Sequence, residues 1–150
     1  MISIIKSDVQ LADITTIKLG GTAKYFAQFN NVYELRQLLQ FAKKENLKIQ
    51  IVGGGSNIIF PDEGFKGLVL KNHIKELNYA VNDHDVFLKA GGGNNWEELV
   101  SFCVNEGVQG IECLSGIPGS VGATPIQNVG AYGQEVSDTI VHVQALRLED

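Results

Sequence analysis

Residues 22–57 read TAKYFAQFNNVYELRQLLQFAKKENLKIQIVGGGSN, and this one stretch carries a complete supersecondary unit followed by an abrupt change of texture. Thr22 to Phe29 has the β-branched and aromatic composition of a strand. Asn31 then fits an N-cap, with Glu34 three residues on to close a capping box. Leu35, Leu38, Leu39 and Ala42 recur at helical spacing on one face. Lys43 and Lys44 fall near the C-terminal end, where the helix dipole favours cations. Ile49 to Val52 is short and apolar, as a buried strand is. Strand, helix, strand in this order implies a right-handed βαβ unit. The glycine run therefore leaves the carboxyl end of a strand, the place where open α/β sheets hold their ligands.

Gly53, Gly54 and Gly55 need a reason, because a glycine is less stable than Ala in regular structure by roughly 0.5–1 kcal/mol. A plain connection between strands is one reading. The other is an anion cradle. Successive N–H groups in a glycine-rich bend form a concave nest for phosphate oxygens, and Ser56 and Asn57 would add side-chain donors. The run is not a P-loop, since no Lys-Ser/Thr follows it. It is not a Rossmann fingerprint either, since Ile58-Ile59-Phe60-Pro61 reads as strand-like rather than as a helix start.

The composition narrows the class of partner. The 150 residues suit one domain or part of a larger one, with 44% hydrophobic residues and 19% charged. The net charge of −5 argues against nucleic acid or an anionic membrane as the main partner, because such surfaces are bound by lysine and arginine. A phosphate ligand would need local donors, which a backbone nest supplies. The N-terminal MISIIKSDVQ lacks the long apolar core and cleavage site of a signal peptide. Cys103 and Cys113 are not spaced as metal ligands and are expected to be reduced, packing residues of a cytoplasmic protein. His73, His84 and His142 are scattered and are expected to be surface or strand histidines.

Beyond Gly64 the pattern shifts. GLVLK (Gly67–Lys71) and VFLKA (Val86–Ala90) read as strands, the second preceded by the polar turn VNDHD, and together they point to a separate, more antiparallel part. NNWEELVSFCVNEG follows as a helix, with Asn95 and Glu98 as a capping box and Gly107 as its stop. Trp96, Leu99, Val100 and Cys103 line one face, Trp96 as a core anchor. The closing TIVHVQALRL (Thr139–Leu148) alternates and is expected to be a strand.

Cys113 to Gln134, CLSGIPGSVGATPIQNVGAYGQ, holds no charge. Its glycines, prolines and polar residues exclude a membrane span. Gly116-Ile117-Pro118-Gly119-Ser120 reads as a turn leading into a short Gly/Ala-rich helix, whose start would favour an anion at Gly119 and Ser120. Gln127, Asn128 and Gly130 follow, where uncharged donors and acceptors could meet a flat heterocycle, and Tyr132 adds an aromatic surface. The two glycine-rich stretches together describe a long ligand with an anionic middle and an uncharged ring at one end. A flavin dinucleotide fits.

With both stretches quoted, the chain resembles the flavin-binding part of the UDP-N-acetylenolpyruvoylglucosamine reductase family. The matching elements are Thr16-Ile17-Lys18-Leu19-Gly20-Gly21, Gly53 to Asn57, Ala90-Gly91-Gly92-Gly93-Asn94-Asn95-Trp96 and, most specifically, Leu114 to Val136. The resemblance covers nearly the whole chain. It implies an α+β fold of the vanillyl-alcohol-oxidase (PCMH) type. Residues 1–70 would form a βαβ subdomain, and residues 71–150 the first part of a second, mainly antiparallel subdomain. It also implies non-covalent FAD, NADPH as co-substrate, and a UDP-sugar enolpyruvate as the small molecule reduced on the way to peptidoglycan. A monomeric cytoplasmic enzyme is the expected context, with neither nucleic acid nor membrane as partner. By the resemblance, Gly53, Gly54, Gly55, Ser56 and Asn57 with Ile117, Pro118, Gly119 and Ser120 hold the pyrophosphate, and Gln127, Asn128 and Gly130 lie on the flavin side. The family's catalytic arginine, serine and glutamate match no position here. They are expected beyond Asp150, which falls mid-domain, so that the chain reads as a piece of a longer enzyme, inactive alone, without the substrate domain. A different flavin oxidoreductase of this fold, using a His or Cys for covalent attachment, and a non-catalytic nucleotide-binding module are the competing readings.

Overall fold

In the computed structural model, which describes residues 4–83 and 85–148, four strands make the first sheet. These are β1 (Ile5–Gln10), β2 (Thr22–Phe29), β3 (Ile49–Val52) and β4 (Phe65–Asn72), arranged in the order β1-β2-β4-β3. β2, β4 and β3 run parallel, and β1 lies antiparallel on the edge against β2. Helix α1 (Val32–Lys44) carries the chain from β2 to β3, so the strand–helix–strand unit is present, with β4 inserted between its two strands.

Helix α1 begins where the sequence places it. The Asn31 side chain accepts the Glu34 amide at 2.8 Å. The reciprocal bond lands one residue earlier than a standard box would put it: the Glu34 carboxylate accepts the Asn30 amide at 2.7 Å and both neighbouring Asn side chains. That amide bond is the main reason the Glu34 carboxyl is held below its ordinary value. Leu38 and Ala42 are fully buried against Ala27, Phe29, Leu68 and Leu70, and Leu35 and Leu39 flank them. Each fully buried leucine contributes about 2 kcal/mol of apolar transfer. On the opposite face of the sheet, Val52 and Val69 are covered too, by Leu11 and Phe60.

That two-sided burial corrects the reading of GLVLK. Leu68 and Leu70 face one core and Val69 the other, each at 0% exposure. The segment is the central parallel strand of the first sheet and not part of an antiparallel one. A strand covered on both faces reads as a continuous apolar run, and this run had that signature. β1 carries little strand signature in the sequence, because an edge strand exposes most of its side chains and this one carries Lys6, Ser7 and Asp8. Ile58-Ile59-Phe60 forms no ladder; Phe60 is buried while Ile59 is 73% exposed.

The second part holds the antiparallel hairpin β5 (Leu77–Asn82) and β6 (Asp85–Ala90), then α2 (Trp96–Asn105). His84 lies outside the described residues. Asn95 caps α2 by accepting the Glu98 amide at 3.0 Å, and Gly107 follows the helix at φ +70°. Trp96, Leu99, Val100 and Cys103 are buried together with Leu114, Val129 and Val136. The Trp96 indole donates to the Leu114 carbonyl at 3.0 Å, so it is a core anchor with its polar end satisfied. Burial pushes the Cys103 thiol up, and both cysteines are free.

The two-residue strands β7 (Gly130–Ala131) and β8 (Gln134–Glu135) form a small hairpin. Thr139 to Leu148 does not form the expected strand: it pairs with nothing among the described residues, and Val141 is 81% exposed. Alternation specifies a face, but a strand exists only with a ladder partner. Among the described residues no helix is long and apolar enough to cross a membrane.

Candidate functional site

The site grows from the end of β3. After Val52 the backbone turns outward through Gly53 to Asn57, and the second glycine-rich loop, Ile117 to Ser120, packs directly on it. The fit is backbone against backbone. A Cβ placed on Gly53 would overlap the Ser120 hydroxyl, and one on Gly54 would stand 3.0 Å from Gly119 Cα. The room left by Gly54 is therefore filled by Gly119 rather than open to a ligand. Gly55 is buried at φ +76°, and its carbonyl accepts the Thr16 amide at 2.9 Å and the Thr16 hydroxyl at 3.3 Å. The segment before β2 thus pins the first loop from below.

Side chains cross-link the loops. Ser56 Oγ donates to the Pro118 carbonyl at 2.9 Å, and Asn57 Nδ2 donates to Gln127 Oε1. These two side chains, expected to donate to phosphate, are engaged in holding one loop to the other. The main chain is what is left to donate. Among the described residues, the amides of Gly54, Gly55, Ser56, Asn57, Gly119 and Ser120 find no acceptor in the protein. Gly55 and Ser120 are buried, where unpaired amides are rare, and Gly54 and Asn57 open to solvent. Ser120 repeats the pattern: it is 6% exposed, and its hydroxyl is buried without a hydrogen-bond partner. Unpaired N–H groups and a buried hydroxyl in a bend containing a left-handed residue are the donor set of an anion nest.

The second loop is set by α2. The Trp96 amide donates to the Gly119 carbonyl at 3.2 Å and the Val121 amide to the Asn94 carbonyl at 3.0 Å. Upstream, the Glu97 carboxylate accepts the Gly116 amide at 2.6 Å and the Ser115 hydroxyl at 2.9 Å. The Gly116 bond, then the Ser115 bond, hold the Glu97 carboxyl below its ordinary value. Gly122 closes the far side, donating to the Gly92 carbonyl at 2.9 Å. The segment expected to be a helix after Ser120 is a 3₁₀ turn, Val121–Ile126, with Pro125 inside it. Proline removes a backbone donor and prevents a longer helix. No helix dipole of useful length therefore acts at Gly119 and Ser120, and the donors there are individual groups.

The flavin-side residues divide. Gln127 belongs with the loops through Asn57. Asn128 sits at φ +48°, with its side chain occupied: Oδ1 accepts the Ser137 amide at 3.1 Å and Nδ2 donates to Glu135 at 2.7 Å. Asn128 and Gly130 line a shallow depression of about 490 Å³ with Gly133, Gln134, Glu135 and Asp138. Tyr132 is 91% exposed. Ile117 is half-buried and packs on the core around Trp96. The grip of α2 on the second loop, above all through Glu97, was not read from the sequence; the Asn95 cap beside the Gly91–Gly93 run was its available signal. Among the described residues no group of His, Cys, Asp and Glu side chains is arranged to hold a metal ion.

Comparison with known proteins gives a consistent set of likenesses. Residues 23–149 match the family described as FAD binding domain. Over 137 residues, 91% of this chain, it is 45% identical to UDP-N-acetylenolpyruvoylglucosamine reductase of Thermobifida fusca and 42% identical to that of Saccharopolyspora erythraea. It covers 38% and 37% of those two proteins, so the chain spans less than two fifths of the length of these relatives. The crystal structure of UDP-N-acetylenolpyruvylglucosamine reductase from Thermus caldophilus superposes with a TM-score of 0.69 at 25% identity, over 89% of this chain and 46% of that one. This likeness bears out the PCMH-type fold expected from the sequence.

Proposed function

This chain belongs to the FAD binding domain family, and on that premise we propose that it is the flavin-holding part of an NADPH-dependent reductase acting on a UDP-sugar enolpyruvate in peptidoglycan synthesis. The observation that supports this reading most is the unpaired donor set where the two glycine loops meet, with the orphaned Ser120 hydroxyl at its centre. These groups fit a pyrophosphate: several N–H donors, one hydroxyl, and little side-chain bulk. Gly53 to Asn57 and Ile117 to Ser120 would hold the phosphates, and Gln127, Asn128 and Gly130 the ring side. When bound, the flavin supplies hydride transfer chemistry. The chain's own part is to bind and orient: α2 fixes one loop, Thr16 the other, and Ser56 and Asn57 fix the loops to each other. Attachment is non-covalent in this reading. The cytoplasm and a monomeric state are the setting proposed for the enzyme.

Reduction of the enolpyruvyl sugar also requires a group to protonate the intermediate, and the family's arginine, serine and glutamate match no position among these residues. The 150 residues by themselves are expected to consume no substrate when FAD and NADPH are supplied, as followed by chromatography. Turnover on the order of 1 per second would place the catalytic residues inside the chain.

The direct test of the reading is Ser120→Ala. An unpaired buried hydroxyl is unfavourable, by about 1–3 kcal/mol. Removing it should leave the flavin-free protein as stable as wild type or more so, while weakening FAD binding by roughly tenfold through loss of one charge-assisted bond. Riboflavin, which has no phosphate, should bind equally to both. Equal losses for FAD and riboflavin would refute the phosphate role.

A further inference from the structure

We infer that Glu97 is a positioning residue for the phosphate-binding loop, holding Ser115 to Ser120 in its donor-presenting conformation while making no contact with the ligand itself. This rests on the flavin reading above. The helix α2 grips the loop at both ends. Downstream of the bend the grip is main chain to main chain, Trp96 to Gly119 and Asn94 to Val121. Upstream two side chains make it: the Trp96 indole holds the Leu114 carbonyl at 3.0 Å, and Glu97 holds the two residues that follow. One Glu97 oxygen accepts the Gly116 amide at 2.6 Å; the other accepts the Ser115 hydroxyl at 2.9 Å and the Ser101 hydroxyl at 3.4 Å. Gly116 stands at φ +80°, and a Cβ there would meet nothing within 4 Å, so packing holds the neighbours Leu114 and Ile117 but not Gly116 itself. The carboxylate is what fixes its amide, and Ile117 to Ser120 follow from that point.

The charge is the wrong sign for a phosphate ligand. A carboxylate near an anion site opposes binding through Coulomb repulsion, so its presence is explained by geometry rather than attraction. It also fits the first turn of α2, where the helix dipole favours an acid. The two contributions separate on substitution. Glutamine keeps an oxygen for the Gly116 amide and gains an N–H that the Ser115 hydroxyl can accept, while losing the charge. Alanine loses all three bonds.

The test is a fluorescence titration of the intact protein with FAD, for wild type, Glu97→Gln and Glu97→Ala, with melting curves of each without flavin. The expected result is that Glu97→Ala binds FAD about tenfold more weakly than wild type, whereas Glu97→Gln binds at least as tightly. Both variants lose the dipole interaction and Glu97→Ala also loses the hydrogen bonds, so its melting temperature should fall further than that of Glu97→Gln. Riboflavin affinity, unchanged in both variants, separates positioning of the phosphate loop from general stability. Glu97→Ala with unchanged FAD affinity, or Glu97→Gln weakened as much as Glu97→Ala, would overturn the assignment. A wild-type protein that takes up no FAD would overturn the flavin reading together with it.

Discussion

Gly55→Ala lowers the stability of the folded protein by about 3 kcal/mol. Two independent terms lead to that figure. The residue holds φ +76°, where an L side chain is disfavoured by roughly 1–2 kcal/mol. In addition, a Cβ at Gly55 would collide with the Ile14 carbonyl oxygen. That oxygen cannot simply withdraw, because the next turn is tied back to Gly55 through the Thr16 amide and hydroxyl. Overpacking of a fixed site adds about 1–3 kcal/mol. Denaturant unfolding of the two proteins gives the difference directly. A loss below about 0.5 kcal/mol, the scale of an ordinary surface change, would show that the segment before β2 does not pin the loop.

Gly54→Val acts on the other quantity. FAD affinity should fall by at least about a hundredfold while the flavin-free protein stays within about 1 kcal/mol of wild-type stability. Gly54 is exposed and has no left-handed conformation, so valine meets no backbone penalty there. What it meets is Gly119: the added Cβ would lie 3.0 Å from Gly119 Cα and 3.1 Å from its carbonyl carbon. The methyl groups beyond it force the two loops apart. A ligand whose phosphates need donors from both loops then loses one set. Neighbouring glycines thus separate folding from binding, Gly55 for the first and Gly54 for the second. A folded Gly54→Val protein with unchanged FAD affinity would mean that the loops do not hold the ligand jointly.

Much of this was legible in the chain, for local reasons. Asn31 and Asn95 are N-caps because a short side-chain oxygen reaches an unpaired amide, and both do so here at 3.0 Å or less. The βαβ order and the position of the glycine run followed from strand composition, the Asn31 cap and helical periodicity together. What failed was information held in the partner. The Thr139–Leu148 alternation names two faces but not the strand that would pair with it. β1 is an edge, so its burial pattern is weak. The placement of β4 needed its run of Leu68-Val69-Leu70 weighed as two-sided burial instead of attached to the next strand in sequence. At the site, the residue types were legible and their duties were not. Ser56 and Asn57 have the donors a phosphate would use, yet both are engaged between the loops. Nothing in a single sequence distinguishes a side chain that binds from one that braces. Glu97 is the same lesson reversed: one more helix-surface acid in the sequence, three accepted hydrogen bonds in the fold.

The central claim is that the main-chain amides of the two glycine loops hold the pyrophosphate of FAD, and amide proton resonances of uniformly ¹⁵N-labelled protein test it most directly. On titration with FAD, the amides of Gly54, Gly55, Ser56, Gly119 and Ser120 should move downfield together and saturate with one affinity, because each acquires a charged acceptor it lacks within the protein. Riboflavin should leave these resonances nearly unmoved while shifting those around Gln127 to Gly130. FAD binding that perturbs other residues and leaves the loop amides in place would contradict the account.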